Sequence, residues 1–166
     1  QSLAFTLTTP PDPLLVSIAQ QVVDDWNALG AQVQLAVQGV TTIVRELIES
    51  RSYDALLLSP ATEADPDPYD EWHSPAATRA HTNLSDLKDA RIDSQLEEGR
   101  VASYTRRKEL YESFQELFAQ EVPSLPLYAT TAYYVQDTSV QGARPGLLIE
   151  PGDRFWQVQE WYLKTR

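Results

Sequence analysis

The sequence predicts an α/β domain, and three observations carry that prediction. Leu3, Phe5 and Leu7 alternate with Ala4, Thr6 and Thr8, the two-residue period of a strand with one apolar face. Asp12-Pro13 then opens a run in which Leu14, Ile18, Val22, Trp26 and Leu29 recur every three or four residues. Further on, Ala55 to Leu58 is an unbroken apolar run of strand length, the mark of a strand buried on both faces. Strand, helix, strand, helix, strand in that order makes a βαβαβ unit. Right-handed crossovers turn such a unit into a parallel sheet flanked by helices.

The individual elements follow from local chemistry. Thr9-Pro10-Pro11 stops the first strand, because proline brings no amide donor to a ladder. Asp12 supplies an N-cap side chain and Pro13 suits the first helical position. Gly30 closes the helix at a position that tolerates the left-handed cap. Val33, Leu35 and Val37 alternate with polar or small residues and predict a second strand, broken at Gly39. Val40, Ile43, Val44, Leu47 and Ile48 predict a short amphipathic helix before the third strand.

From Glu63 to about Ser85 the chain turns to Pro, Asp, Ser, Thr and His, predicting a long loop. Loops longer than about 12–15 residues are usually functional or mobile. A helix from about Asp89 to Arg100 follows, with Ile92 and Leu96 inward. A stronger one begins near Ser103, with Leu110, Phe114, Leu117 and Phe118 inward and Tyr111 beside them, and ends at Val122-Pro123. Leu125, Leu127 and Ala129 suggest a strand, Ala132 to Gln136 another, and Phe155 to Leu163 an aromatic, strand-like end. Arg144-Pro145-Gly146 and Pro151-Gly152-Asp153 read as turns.

Composition narrows the function. The 166 residues suffice for one domain, and 42% apolar with 22% charged residues is ordinary for a globular chain. Thirteen basic against 24 acidic residues leave a net charge of −11, which disfavours nucleic acid or an anionic membrane face as partner. The absence of cysteine excludes disulfides, thiolate zinc sites and a thiol nucleophile. No apolar run approaches the ~20 residues of a membrane span. The chain opens directly on a strand, without leader or initiating methionine, and is expected to be a fragment.

The chemistry-bearing residues gather in the loop after the third strand. No Gly-x-Ser-x-Gly and no Ser-His-Asp order appears, so the chain is predicted not to be an enzyme. Asp65, Asp67 and Asp70 offer hard oxygens and His73 and His81 nitrogen donors. A calcium loop, however, needs a glycine at its sharp turn and a terminal glutamate, and the histidine spacing matches no zinc motif. Neither a metal nor another cofactor is therefore expected. Trp72, Tyr133 and Tyr134 offer stacking platforms, with core packing as the alternative reading. Arg106-Arg107 reads as a solvated helix face, paired with acids such as Glu109 or Glu112.

A set of pieces in fixed order adds a family resemblance. They are Trp26-Asn27-Ala28-Leu29-Gly30 with its following strand, Tyr53-Asp54 with an apolar strand, Asp65-Pro66-Asp67-Pro68-Tyr69, and Trp72-His73-Ser74. Asn83, Asp93, Arg107-Lys108-Glu109-Leu110-Tyr111 and Phe114-Gln115 come next. Glu121-Val122-Pro123-Ser124-Leu125-Pro126-Leu127-Tyr128, Val140-Gln141-Gly142 and Trp161-Tyr162 complete the set. With these, the chain resembles the C-terminal lobe of family 5 solute-binding proteins, the dipeptide, oligopeptide and nickel class serving ABC importers.

The resemblance implies a periplasmic-binding-protein-like lobe over residues 1–166, with added C-terminal helices and strands and a 143–166 tail facing an N-terminal lobe. It also implies an extracytoplasmic location, a peptide or similar small solute held between two lobes, and delivery to an ABC permease. Contact with the membrane would be through the permease or an anchor outside this chain. Ligand contacts are expected from Glu63, Asp65, Asp67, Tyr69, Trp72, His73, Tyr133 and Tyr134. Among them Glu63 or Asp65 is expected to meet a cationic group of the ligand. The family's usual Gly-Trp after the strand is Ser59-Pro60 here, which removes one aromatic wall. A stand-alone α/β sensing or interaction domain, and an acid/base hydrolase using the loop carboxylates, are the alternatives.

Overall fold

The computed structural model describes residues 3–60, 64–77, 82–131, 133–144, 146 and 148–164. Strand β1 (Ala4–Thr9) is the centre of a three-stranded sheet in the order β2-β1-β3. It pairs in parallel with β2 (Gln32–Val37), Phe5 opposite Val33 and Leu7 opposite Leu35, and with β3 (Ala55–Leu56), Leu7 opposite Ala55. Helix α1 (Pro13–Ala28) starts as expected, with Asp12 Oδ1 accepting from the Leu14 and Leu15 amides at 2.9 and 3.0 Å.

The buried stripe of α1 lies one residue away from the expected one. Leu15, Ala19 and Val23 are buried, the last two against the sheet, while Leu14 is exposed and Leu29 is 85% exposed. Ala19 decides the registry. Its small methyl is fully buried with Val23 against Leu7 and Val33, with Val22, Trp26 and Phe5 packed around them. The Phe5 and Trp26 rings meet at 5.3 Å, tilted by 57°.

In the last turn of α1, the Asn27 side chain completes the edge of the sheet. Its Oδ1 accepts from the Val33 amide at 2.7 Å, and its Nδ2 donates to the Val33 carbonyl at 3.2 Å. Gln32 N and Gln38 N donate to β1, to Leu3 O and Thr9 O, so Val33 points its peptide groups away from β1. The amide side chain thus stands in for one residue of a further strand.

The helix after β2 forms as expected but in two parts, α2 (Val40–Thr42) running into a π-helical segment, Ile43–Ile48. Glu49 N and Ser52 N bond five residues back, to Val44 O and Leu47 O at 3.0 and 2.9 Å. Ile43 is buried, whereas Val40 and Val44 are exposed. Thr6, Thr8, Ala36 and Gln38 on the second sheet face line an open groove of about 460 Å³ with Leu47, Arg51, Ser52, Tyr53 and Asp54.

β3 departs from expectation: it is two residues long, half-buried, and an edge strand. The strand shielded on both sides is β1, whose Thr8 and Thr9 are buried beside Leu7. Thr9 hydroxyl donates to Leu57 O at 3.1 Å, tying the two strand ends together. Tyr53-Asp54 is structural on both counts. Asp54 Oδ2 accepts from the Thr6 amide at 2.9 Å, and the Tyr53 hydroxyl donates to Leu84 O at 2.5 Å.

A second core lies among α3 (Tyr69–Trp72), α4 (Ala90–Val101) and α5 (Tyr104–Glu121). Ile92 and Leu96 are fully buried against Phe114, with Leu117, Phe118, Trp72 and Tyr69 around them, matching the expected inner faces. Asp89 caps α4, accepting from the Arg91 amide at 2.8 Å. α5 ends at Val122, in the left-handed region at φ 48°, its amide donating to Phe118 O. The sheet and helical halves meet through hydrogen bonds: Arg51 Nη1 donates to Asn83 O at 2.8 Å, beside the Tyr53–Leu84 bond.

After α5 the expected strands do not form. Residues 125–129 and 133–136 have no ladder partner, and Leu125 and Leu127 are exposed; Ala132 lies outside the described residues. The aromatic end is two 3₁₀ turns, Pro151–Phe155 and Val158–Glu160, before β5 (Tyr162–Leu163) pairs antiparallel with β4 (Val140–Gln141). Gly142 permits that pairing, since a Cβ there would stand 2.3 Å from Glu160 O. Among the described residues, no helix is long and apolar enough to cross a membrane.

Candidate functional site

The segment leaving the carboxyl end of β3 is where an α/β sheet exposes ligand-binding chain. Here it is not the featureless loop expected between 63 and 85. Pro66 and Pro68 stiffen it, Asp67 N donates to Asp65 O at 2.8 Å, and α3 and a 3₁₀ turn, Ser74–Ala77, follow directly. Asn83 fixes its far end from a fully buried position. Its Nδ2 donates to the carbonyls of Trp72, His73 and Leu87, while its Oδ1 accepts from the Ser85 hydroxyl and the Leu87 amide.

Five of the expected ligand residues come together against α4 and α5. Asp65 is paired with Arg107, whose Nη2 lies 2.6 Å from its Oδ1, yet its side chain is 62% exposed. Asp67 is more enclosed. Arg100 Nε donates to its Oδ2 at 2.6 Å, and the Tyr111 hydroxyl and Tyr69 amide donate to its Oδ1, each at 3.2 Å. Burial alone would raise the Asp67 carboxyl, but the bonds from Arg100, the Tyr69 amide and Tyr111 outweigh it and hold the group below its ordinary value.

Tyr69 lies under the Arg100 guanidinium, 3.8 Å from its ring centroid, and stacks on His73 at 4.1 Å and 17°. Trp72 packs edge-on against Phe118 at 4.7 Å, so its indole joins the second core. His73 is 5% exposed and meets Glu97 Oε1 through Nε2 at 2.9 Å.

The other candidates stand apart. Glu63 lies outside the described residues, as does His81. Tyr133 is 87% exposed and Tyr134 half-buried, both in irregular chain beyond α5. Among the described residues, no three His, Asp or Glu side chains gather as a metal cluster. The oxygens considered for a metal go instead to arginines: Asp65 to Arg107, Asp67 and Asp70 to Arg100.

Sequence reasoning missed the partners. Arg106 does pair on the helix surface, with Glu109 at 3.2 Å and with Glu98 at 2.8 Å on α4. Arg107 does not; it crosses to Asp65. Gly99 lies inside α4, where a Cβ would stand 2.5 Å from Tyr111 Cε1. A glycine inside a helix costs about 1 kcal/mol, which is the signal that marks it as a packing requirement. The assembly is a braced wall in which Asp65, Asp67 and Asp70 pair with two arginines and Tyr69 is stacked between Arg100 and His73.

No family model and no curated protein matches the chain. Solved structures do. The oligopeptide-binding protein AppA of Bacillus subtilis, in complex with a nonapeptide, is 20% identical with a TM-score of 0.68, covering 98% of this chain and 32% of that one. NikZ from Campylobacter jejuni, in complex with Ni(L-His), is 22% identical with a TM-score of 0.70, covering 96% and 33%. The Escherichia coli murein tripeptide binding protein MppA is 18% identical with a TM-score of 0.70, covering 99% and 31%. The chain spans about a third of the length of these structures. It has the α/β, periplasmic-binding-protein-like fold of the matched third of these structures.

Proposed function

We propose that this chain is the C-terminal lobe of a two-lobed extracytoplasmic solute-binding protein, which captures a peptide or similar small solute and delivers it to an ABC permease without catalysing a reaction. One observation carries the reading: almost the whole chain superposes on about a third of proteins whose structures hold a nonapeptide or Ni(L-His). The braced segment beyond β3 fits the reading, since a wall that closes on a solute gains affinity from being ordered beforehand. Hinge closure of two lobes is the motion that such a wall would serve. Phe155, Trp156, Val158, Tyr162 and Leu163 are exposed, and the 143–166 tail is the part of this chain that faces the other lobe.

Asp65 in the wall, or Glu63 outside the described residues, meets a cationic group of the solute, with Asp67, Tyr69, Trp72 and His73 behind Asp65 and Tyr133 and Tyr134 as further aromatic contacts. Asp65 supports its place in this set by exposure, because its carboxylate has one arginine partner and a free approach from solvent. The test uses the full-length protein and a defined pool of di- to nonapeptides. Glu63→Gln or Asp65→Asn is expected to weaken binding of the pool at least several-fold by titration calorimetry. Unchanged affinity in both variants would remove the assignment.

A further inference from the structure

We infer that Arg100 is the positioning residue of this wall, an inference that rests on the solute-binding reading. It occupies the last turn of α4, where the negative end of the helix dipole favours a cation. From there one guanidinium reaches three residues of the segment at once: Asp67 at 2.6 Å, Asp70 at 3.4 Å and the face of Tyr69 at 3.8 Å. The column continues through His73, stacked on Tyr69, and returns to α4 at Glu97, three residues before Arg100. α4 thus grips 67–73 at both ends.

Gly99 and Arg100 act as a pair. The bare Cα of Gly99 admits the Tyr111 ring, whose hydroxyl then holds the Asp67 oxygen that Arg100 leaves open. Lysine could not replace the arginine, because a compact ammonium cannot bond two carboxylates and cover an aromatic face together.

The pairs are too exposed to contribute much stability: Arg100 is 41% exposed and Asp70 77%. What three contacts from one planar group do fix is direction. They set the course of residues 67–70, and with it the line along which Asp65 and Tyr69 are presented. Disorder here would be removed again at each binding event, so its cost appears in affinity rather than in unfolding.

The experiment compares Arg100→Met and Arg100→Lys with the unaltered full-length protein. Hydrogen exchange at the Tyr69 and Trp72 amides is expected to quicken in both variants, while the urea midpoint moves little. Affinity for the peptide pool is expected to fall roughly tenfold in Arg100→Met through faster release, with Arg100→Lys restoring only part of it. In Arg100→Met combined with Asp67→Asn, the loss should not add. Unchanged amide exchange in Arg100→Met overturns the positioning role, whatever the protein binds. Faster exchange with unchanged affinity overturns its bearing on the solute. Failure of the unaltered protein to bind the pool would count against the solute-binding reading alone, leaving the exchange result to decide the role of Arg100.

Discussion

β2 and the stretch 125–129 obey the same sequence rule and end in different structures. Val33, Leu35 and Val37 alternate with polar or small neighbours and become a strand; Leu125, Leu127 and Ala129 alternate and do not. The difference is the company each keeps. β2 finds β1 on one side, Asn27 on the other and α1 across its apolar face. Residues 125–129 have no ladder and stay exposed. Alternation states which side of a strand would be buried, and a strand exists only where its peptide groups are also met.

The largest effect that separates the two regions is expected in their apolar residues. Leu7→Ala, opposite Leu35 in the ladder and 4% exposed, should cost about 2–5 kcal/mol in urea unfolding. Leu127→Ala should stay within about 0.5 kcal/mol. A large loss at Leu127 would mean that the stretch is packed in solution and would break the contrast.

A smaller effect probes the edge. Asn27→Ala leaves both Val33 peptide groups without their partner, and should cost about 1–2 kcal/mol with faster exchange of the Val33 amide. Exchange unchanged at Val33 would show that the side chain is not what closes β2.

The smallest effect is acid-dependent and belongs to the loop and helices instead of the sheet. Asp67 is held below its ordinary value of 3.8, and Asp89 is drawn to about 2 by the Arg91 side chain, against the pull of burial. A depressed carboxyl contributes its stability above pH 3.8, and the contribution is lost as pH falls through the lowered folded value. Unfolding followed between pH 5 and pH 2 should show the loss, and Asp67→Asn should flatten its own share. That share stays under about 1 kcal/mol, because the pair is partly open to solvent.

Local chemistry made much of the frame legible. The Asp12-Pro13 start, the Gly30 end, the inner faces Ile92/Leu96 and Leu110/Phe114, and the Val122-Pro123 stop all lie within a few residues of their causes. What escaped depends on distant partners. The registry of α1 turns on the packing of Ala19 and Val23 with Leu7 and Val33, which periodicity cannot separate from a stripe one residue over. β3 reads as buried because its residues are apolar, but its place at the edge follows from strand order. In the site, the cluster 65–73 was legible as a cluster. The identity of its arginines was not, because Arg100 and Arg107 lie 33 and 42 residues from the acids they join. With 13 cations set among 24 acids, local spacing leaves that choice open.

The joint between the sheet and the helices bears on cooperativity. The two apolar clusters share no residue, and the Arg51–Asn83 and Tyr53–Leu84 bonds run between their two halves. Such bonds can be exchanged for water at little cost, whereas opening either cluster exposes apolar surface. Among the described residues two separate cores are thus joined by hydrogen bonds, and native-state exchange is expected to open this seam before it opens either core.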